Sequence, residues 1–233
     1  MKLLARQRRG KIIFVTGTDT GVGKTIFTGM LVHHLRSNGV HALAMKPFCS
    51  GGRADVRLLR AMQDAELTEE EINPFYFPEP IAPLVSARRR KRVISLEEVV
   101  REIKKIATRC ECLVIEGSGG LLVPLGEDYF VSDVIRRLKC EVVVVARNQL
   151  GTINHTLLTV NALKRFGVKN ISVVMMGTSK KDASVEKNGA VLREFLVGMR
   201  VVEVGFLGEK ANEIGVLKKS VKNLKKTLAG FCG

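Results

Sequence analysis

Residues 14–25 read FVTGTDTGVGKT, and this stretch decides the fold. It follows the apolar run of residues 11–15, which predicts a strand, and it precedes a helical pattern over residues 24–36. A strand, a glycine-rich turn ending in Gly-Lys-Thr and a helix form the context that a P-loop requires. Thr18 stands where the first glycine of such a loop is expected, and Gly17 comes one residue earlier. Successive backbone N–H groups at a helix N-terminus predict a phosphate-binding site here.

Short β-branched runs alternate with longer helical patterns along the rest of the chain. Apolar runs predict further strands over residues 40–45, 112–115, 142–146, 171–176 and 201–204. Helical patterns predict helices over residues 95–109, 152–166 and 185–197 and a lysine-rich helix at the C-terminus. Such alternation predicts a doubly wound α/β fold, with a mostly parallel twisted sheet and helices on both faces. Residues 73–92 hold four of the six prolines without periodicity, which predicts a long ordered loop.

The composition is that of an ordinary globular protein, with 233 residues of which 45% are hydrophobic and 26% charged. We expect a basic tail over residues 1–10 and a single P-loop α/β domain over residues 11–233. No apolar run approaches the roughly 20 residues that cross a bilayer. The start of the chain lacks the apolar core of a secretory signal. We therefore expect a cytoplasmic protein without a membrane partner, and its five cysteines, which show no framework spacing, are expected as free thiols.

Two features of the sequence predict a nucleotide and a metal ion at the glycine-rich turn. Lys24 is placed to reach the β- and γ-phosphates, and the Thr25 hydroxyl is placed to bind Mg²⁺. The predicted strand that begins at Cys112 ends in the carboxylate of Glu116. A carboxylate at the C-terminal end of a strand beside the P-loop strand can hold the magnesium directly or through water. The loop residues expected to contact the nucleotide are Thr18, Asp19, Thr20, Gly21, Val22, Gly23, Lys24 and Thr25.

Several motifs together resemble the dethiobiotin synthetases. They are the glycine-rich stretch above, MKPFCSG at residues 45–51, NPFYFPEPIAP at 73–83, EGSGGLLVPL at 116–125 and LGTINHTLLT at 150–159. They occur in the family's order and span roughly the first two thirds of the chain. The resemblance implies a Mg²⁺-dependent ligase that uses ATP to convert 7,8-diaminononanoate and CO₂ to dethiobiotin, with release of ADP and phosphate.

The implied chemistry passes through a carbamate and a carbamic-phosphoric anhydride. One amine captures CO₂, the carbamate oxygen attacks the γ-phosphate, and the second amine closes the cyclic urea. Carbamate and triphosphate are both anionic, so cations must offset their repulsion. By resemblance, Lys46 contacts the carbamate and the γ-phosphate, and Lys24 and Thr20 complete the catalytic set.

The resemblance also implies the metal ligands and the substrate-binding residues. Thr25, Asp55 and Glu116 form an all-oxygen set of the kind that a hard cation prefers, although Asp55 could also serve as a helix N-cap. Ser50 lies near the substrate. The segment that opens the helix near residue 152 binds the substrate's carboxylate from the neighbouring subunit, which implies a homodimer. Its binding residues are Gly151, Thr152 and Asn154, while His155 is expected to pack against its own helix.

The last third of the chain departs from the family pattern. After the strand of residues 171–176 the family usually presents an Asn-Asp-like pair that reads adenine, whereas this chain has Gly177-Thr178. We therefore expect relaxed base choice, with CTP or GTP substituting for ATP. The remaining residues expected to contact the nucleotide are Glu116, Gly119 and Gly177.

The main alternative is a partitioning ATPase of the ParA/MinD kind that acts as a nucleotide switch. The formal net charge of +15 favours it slightly, because clustered Lys and Arg bind phosphate backbones. Such proteins carry a second lysine early in the glycine-rich turn, where this chain has Thr18-Asp19-Thr20. The basic runs also lack the interleaved aromatics of a single-strand binder. We therefore expect no nucleic-acid partner.

Overall fold

The computed structural model of the chain defines residues 10–179 and 182–231. Of the basic tail predicted over residues 1–10, only Gly10 belongs to this part, and Cys232 lies outside it as well. The four described cysteines, Cys49, Cys110, Cys112 and Cys140, are all free, as expected.

Strands and helices alternate along the described chain as the sequence predicts. The strands are β1 Lys11–Gly17, β2 Ala42–Met45, β3 Phe48–Ser50, β4 Phe75–Phe77, β5 Cys112–Gly120, β6 Glu141–Arg147, β7 Ile171–Met176 and β8 Arg200–Val204. The helices are α1 Lys24–Ser37, α2 Ala54–Met62, α3 Glu69–Ile72, α4 Pro83–Arg89, α5 Leu96–Ala107, α6 Val131–Leu138, α7 Thr152–Arg165, α8 Val185–Phe195, α9 Ile214–Asn223 and α10 Lys225–Ala229.

Six parallel strands form the main sheet in the order β2-β5-β1-β6-β7-β8. The central strand β1 pairs with β5 on one side, where Val15 faces Glu116, and with β6 on the other, where Gly17 faces Val145. Helices cover both faces, so the sheet is built of almost wholly buried aliphatic strands. The doubly wound α/β fold is therefore confirmed. The carboxyl ends of β1, β2, β5 and β6 meet at one edge, where ligands bind in such folds.

The prediction of a long loop over residues 73–92 is wrong. Strand β4 pairs in parallel with β3 in a separate two-stranded sheet, and helix α4 follows it. Pro83 is the first residue of α4, a position where the missing N–H costs nothing. The prolines therefore lie at or near the ends of these short elements, where they are compatible with a strand and a helix. The lysine-rich C-terminal segment also forms two short helices, α9 and α10, where one was predicted.

The basic run of residues 88–92 is largely neutralised by neighbouring carboxylates. Three of its arginines form ion pairs across the surface, and these are Arg88–Glu127 at 2.5 Å, Arg90–Glu79 at 3.0 Å and Arg92–Glu98 at 4.0 Å. This run is therefore not a bare cationic patch for a polyanion. Within the described residues, no helix is both long and apolar enough to traverse a bilayer.

Strand β2 ends the sheet, and side chains complete its outer hydrogen bonds. The fully buried Gln63 accepts from the Ala44 N–H at 2.9 Å and donates to the Ala44 carbonyl at 3.1 Å. Arg36 donates to the carbonyl of Ala42 at 3.1 Å. One glutamine amide thus substitutes for a neighbouring strand at the centre of β2.

We predict that Gln63→Leu lowers the free energy of unfolding by about 2 kcal/mol, because it leaves both backbone groups of Ala44 buried without partners. The melting temperature should fall by about 4–8 °C, measured by thermal unfolding followed by circular dichroism. Lys105→Leu, which adds the same side chain on the exposed face of α5, is the control and should change little. An unchanged melting temperature for Gln63→Leu would show that the amide is dispensable.

Candidate phosphate and metal site

The turn between β1 and α1 has the shape of a phosphate-binding loop. Gly23 caps α1 with a left-handed backbone (φ 98°), and no side chain accepts from the first-turn N–H groups. A Cβ at Gly23 would also lie 3.0 Å from the Met176 side chain, so both the conformation and the space require glycine. The first turn of α1 contains no acidic residue. The N–H groups and the positive end of the helix are therefore left to an anion.

Lys24 lies folded over this turn. Its residue is 6% exposed, and its Nζ donates to the backbone carbonyl of Asp19 at 2.8 Å. Burial lowers the pKa of Lys24 to about 8, with the nearby Glu116 carboxylate opposing that shift and Lys46 adding to it. The ammonium has no carboxylate of its own within salt-bridge distance among the described residues. A bound phosphate would supply the missing counter-charge.

A buried carboxylate joins three elements next to the turn. Glu116, at 1% exposure, accepts from the Thr25 hydroxyl at 2.7 Å and from Lys46 Nζ at 2.5 Å through the same oxygen, Oε1. Lys46 also pairs with Asp55 at 3.0 Å. The structure thus brings together the predicted metal residues Thr25, Asp55 and Glu116 with the predicted catalytic Lys46. Asp55 lies in the first turn of α2, whose N-cap is Arg53, so the N-cap alternative for Asp55 is wrong.

The two lysines of the site have opposite pKa shifts. Burial alone would lower the pKa of Lys46, but the charges and hydrogen bonds of Glu116 and Asp55 outweigh it and raise the pKa above its usual value. Lys46 is therefore a permanent cation. Lys24, whose pKa is lowered, is a cation whose charge depends on what binds beside it.

The residues present fit a magnesium ion. The second oxygen of Glu116, Oε2, is buried and has no hydrogen-bond partner, so a ligand is needed to satisfy it. Hydroxyl and carboxylate oxygens are the donors that Mg²⁺ prefers. The described residues contain no cluster of three or more His, Cys, Asp or Glu side chains suited to a metal. A magnesium ion needs only one or two carboxylates from the protein, because it keeps several waters and binds phosphate oxygens.

A cleft of about 570 Å³ opens above this cluster. It is lined by Thr20, Gly21, Gly23, Lys24, Thr25, Ile26, Ala54, Asp55, Arg57, Leu58, Glu116, Asn212 and Ile214. Sequence reasoning missed six of these residues, namely Ile26, Ala54, Arg57, Leu58, Asn212 and Ile214. Leu58 lies three residues after Asp55 on α2, and this helical spacing is a signal that could have found it. Asn212 and Ile214 reach the cleft only because α9 packs against α1 and α2.

Other predicted residues lie around the mouth of the loop. Gly119 has a close neighbour in the Thr20 hydroxyl, since a Cβ there would lie 3.3 Å from Oγ1. The N–H of Thr18 donates to the carbonyl of Val145 at 3.0 Å, which anchors the loop to β6. The Ser50 hydroxyl is buried and has no hydrogen-bond partner. This hydroxyl at the end of β3 can therefore form a further hydrogen bond.

The predicted carboxylate-binding segment lies at the start of α7 and does not line this cleft. Gly151 caps α7 with φ 90° and no side-chain cap, and the first turn carries no acidic residue. Asn154 is exposed and Thr152 is buried. The ring of His155 lies against the start of its own helix, as expected, since a Cβ at Gly151 would lie 3.8 Å from its Cε1, and the residue is exposed. Gly151 and Asn154 are thus exposed at the start of this helix.

Gly177 lies directly after β7 and is held tightly. Its N–H donates to the carbonyl of Val204 at 2.7 Å, and a Cβ there would lie 2.6 Å from the backbone nitrogen of Phe206. No larger residue fits without moving this backbone. Phe206, whose backbone is this close neighbour, is itself 45% exposed.

The fold and this cluster define an α/β phosphate-binding domain of the P-loop class. A family model described as an AAA domain matches residues 11–204. The ParA family ATPase of Chlorobium tepidum superposes with a TM-score of 0.56 and 16% identity, covering 96% of this chain and 98% of that one. At this identity the likeness concerns the fold alone, and it does not support the partitioning ATPase alternative as a function.

Sequence relatives show to which family within the P-loop class the chain belongs. The ATP-dependent dethiobiotin synthetase BioD of Bacillus licheniformis is 44% identical over 199 residues, which cover 83% of this chain and 85% of the relative. The enzyme of the same name from Endomicrobium trichonymphae is 36% identical and covers 84% of this chain and 93% of its own. The chain belongs to the dethiobiotin synthetase family.

Nucleotide binding should weaken as the pH rises through about 8, the pKa of Lys24. Below that pH Lys24 is already charged, whereas above it binding must draw a proton from solvent to restore the charge. The affinity should fall by up to about tenfold per pH unit between pH 8 and pH 9.5. Isothermal titration calorimetry in buffers of different ionisation enthalpy would measure both the affinity and the proton uptake.

Lys24→Arg is the matched control for this pH dependence, since a guanidinium remains charged throughout the range. Its affinity should be lower at pH 7 and flat to pH 9.5. The phosphates of the nucleotide titrate near pH 6 and do not contribute above pH 8. Wild-type affinity that is constant from pH 7 to pH 9.5 would contradict the assignment.

Proposed function

We propose that this protein is an ATP-dependent dethiobiotin synthetase that closes the cyclic urea of dethiobiotin from 7,8-diaminononanoate and CO₂, releasing ADP and phosphate. The observation that carries the proposal is the contact chain Thr25–Glu116–Lys46–Asp55 beside the glycine-rich turn. It connects a phosphate-binding loop to a fixed cation next to an unsatisfied carboxylate oxygen. The same activity favours a cytoplasmic enzyme, because ATP and CO₂ are both available there.

The triphosphate binds at the N-terminus of α1 in this proposal. The N–H groups of residues 21–25 hold the β- and γ-phosphates, with Lys24 releasing the Asp19 carbonyl to pair with them. Glu116 and Gly119 border this loop from β5, and Gly177 borders the base. A phosphate beside Lys24 offsets the cost of burying that ammonium, so each stabilises the other's charge.

Lys46 carries the chemical step. Its Nζ is fixed by Glu116 and Asp55 and stays protonated. This ammonium can therefore offset the repulsion between two anions, the carbamate and the γ-phosphate. A cation held in place before the reaction costs no reorganisation when charge develops. Thr20, exposed at the mouth of the loop, and Ser50, with its unpartnered hydroxyl, orient the carbamate and the diamine.

Thr25, Glu116 and Asp55 would hold Mg²⁺. When bound, the ion neutralises phosphate charge and aligns the γ-phosphate for transfer. The protein supplies these oxygen ligands without excess negative charge, because the Lys46 ammonium neutralises the Glu116 carboxylate, with Nζ 2.5 Å from Oε1.

The substrate's carboxylate is bound by the α7 start of a second copy of the chain, through the Gly151 N–H, the Thr152 hydroxyl, which has no partner within the protein, and the amide of Asn154. The Thr152 N–H itself donates to the carbonyl of Gln149 at 3.1 Å and so closes the turn. An uncapped helix N-terminus binds carboxylates without a cation. Large apolar side chains are exposed beside this segment, with Leu150 at 78% and Leu158 at 61%. Exposed side chains of this size favour burial in a homodimer.

The direct test is to incubate the pure protein with 7,8-diaminononanoate, bicarbonate, Mg²⁺ and ATP and to detect the cyclic urea by mass spectrometry. Lys46→Ala should lower its formation by more than about a hundredfold, because the preorganised cation is lost. The variant should still bind nucleotide, since Lys24 and the loop are intact, and calorimetry would verify this. Product at wild-type rates in Lys46→Ala would remove that lysine from catalysis, and no product from the wild type would refute the function.

We further propose relaxed base choice. The family amide is replaced by Gly177, which has no side chain to read a base edge. We infer that the base stacks on the exposed ring of Phe206, a residue whose backbone nitrogen is a close neighbour of Gly177. Stacking on an aromatic ring tolerates every base, whereas an amide discriminates between them. CTP and GTP should therefore support the reaction with kcat/KM values near that of ATP.

A preference for ATP above about a hundredfold, roughly 2.7 kcal/mol, would contradict relaxed base choice. Asn212→Ala is the informative variant in that case, because Asn212 is an amide-bearing residue in the lining of the cleft. A loss of the ATP preference in this variant would assign base reading to Asn212.

A further inference from the structure

A buried pair of asparagine side chains joins the turn after β6 to the first turn of α8. Asn148 and Asn188 are 5% and 3% exposed. The Asn188 amide donates to Asn148 Oδ1 at 2.9 Å and to the carbonyl of Gln149 at 3.3 Å, while the Asn148 amide donates to the carbonyl of Val185 at 3.2 Å. Leaving any of these buried groups unpaired is costly, so the turn has one preferred arrangement.

A carboxylate holds the same turn from the surface. Asp182 Oδ2 accepts from the Leu150 N–H at 3.0 Å, and Oδ1 accepts from the Ser184 N–H at 2.8 Å and from the Ser184 hydroxyl. These hydrogen bonds, with that of the Ser184 hydroxyl the largest contribution, lower the pKa of Asp182, so it accepts as a carboxylate at neutral pH. Asn188 also donates to Ser184 Oγ at 3.1 Å, which makes one network of the four side chains.

The turn that this network holds leads directly into α7. Leu150 precedes Gly151, the left-handed N-cap, and Thr152 is the first residue of the helix. The direction of the first N–H groups of α7 therefore follows from the position of residues 149–150. Backbone donors bind a carboxylate well only when their directions converge, and a displacement of about 1 Å has a large effect. The network comes from another part of the chain, so it fixes this geometry independently of α7 itself.

We propose that Asn188 and Asp182 are positioning residues that hold the N-terminus of α7 in the geometry that binds the substrate's carboxylate. This inference rests on the proposed function. Neither residue touches substrate, and both act through the turn of residues 149–150. Their removal should therefore weaken diamine binding specifically, whereas a merely structural role would lower stability and leave the kinetic constants unchanged.

The experiment compares Asn188→Asp and Asp182→Ala with the wild-type enzyme. The first replaces the donating amide by a group that repels the carbonyl of Gln149, and the second removes the acceptor of the Leu150 N–H. In both variants the KM for 7,8-diaminononanoate should rise about tenfold. The KM for ATP and the kcat at saturating diamine should stay within about twofold, because the phosphate loop and Lys46 are untouched.

Ser95→Ala is the matched control, since it removes an N-cap hydrogen bond of α5 away from the site, from Glu98 N–H to Ser95 Oγ at 3.1 Å. It should lower the melting temperature without raising the KM for the diamine. Asp182 is exposed, so Asp182→Ala remains informative even if Asn188→Asp does not fold. Hydrogen exchange of the peptide covering residues 149–154 supplies a second readout, and it should be faster in both variants and unchanged in the control.

An unchanged diamine KM in Asp182→Ala would overturn the positioning role while leaving the proposed function intact. Equal increases in the KM for ATP and for the diamine would also overturn it, because the defect would then be general. A wild-type protein that forms no cyclic urea would instead refute the proposed function. Normal hydrogen exchange at residues 149–154 in both variants would show that the network does not hold the turn.

Discussion

The structure depends on the burial of one carboxylate, Glu116, at the carboxyl end of β5. A buried carboxylate is stable only when its oxygens find partners. Lys46 from the end of β2 and Thr25 from the start of α1 both meet the same oxygen, and Asp55 from α2 completes the pairing of the lysine. Four elements are thus tied together at the edge of the sheet where the P-loop lies. The same contacts that stabilise this corner also leave the second oxygen free for a ligand.

This arrangement gives two lysines of one cleft different tasks. The side chain of Lys46 is balanced within the protein, so its charge is constant and its position is fixed. The Lys24 ammonium donates to a backbone carbonyl, and a bound anion would neutralise its charge. In such a site the cation with the lowered pKa, Lys24, can pair with a phosphate. The permanently charged Lys46 can hold a second anion beside it. Separation of these roles is what a reaction between two anionic partners needs.

The regular part of the fold could be predicted because its signals are local. Apolar runs marked the strands of the main sheet, and the sequence GVGKT fixed the turn between β1 and α1. The loop prediction for residues 73–92 failed because β4 has three residues and gains its stability only by pairing with β3. A pairing between short, distant segments leaves little trace in either one.

The site was predictable where a motif concentrated it in sequence. Lys24, Thr25, Lys46 and Glu116 each stood in a quoted segment, and Asp55 follows one of them by four residues. The structure brings Thr25, Lys46, Asp55 and Glu116 into contact and places Lys24 on the same cleft. Asn212 and the Asn148–Asn188 pair were not predicted, because they are ordinary polar residues until the packing of α9 and α8 places them. Their importance lies in the partner that each meets, and no spacing in the chain encodes it.

The side chains that cover β2 also limit how copies of this protein can associate. An uncovered outer strand invites another chain to extend the sheet, which is a common route to aggregation. Gln63 and Arg36 occupy the hydrogen-bonding groups of Ala44 and Ala42 that an incoming strand would use. Continuous sheets across two molecules are therefore blocked on this side. Association with another chain would therefore use a different part of the surface, such as the β8 edge of the sheet or exposed side chains.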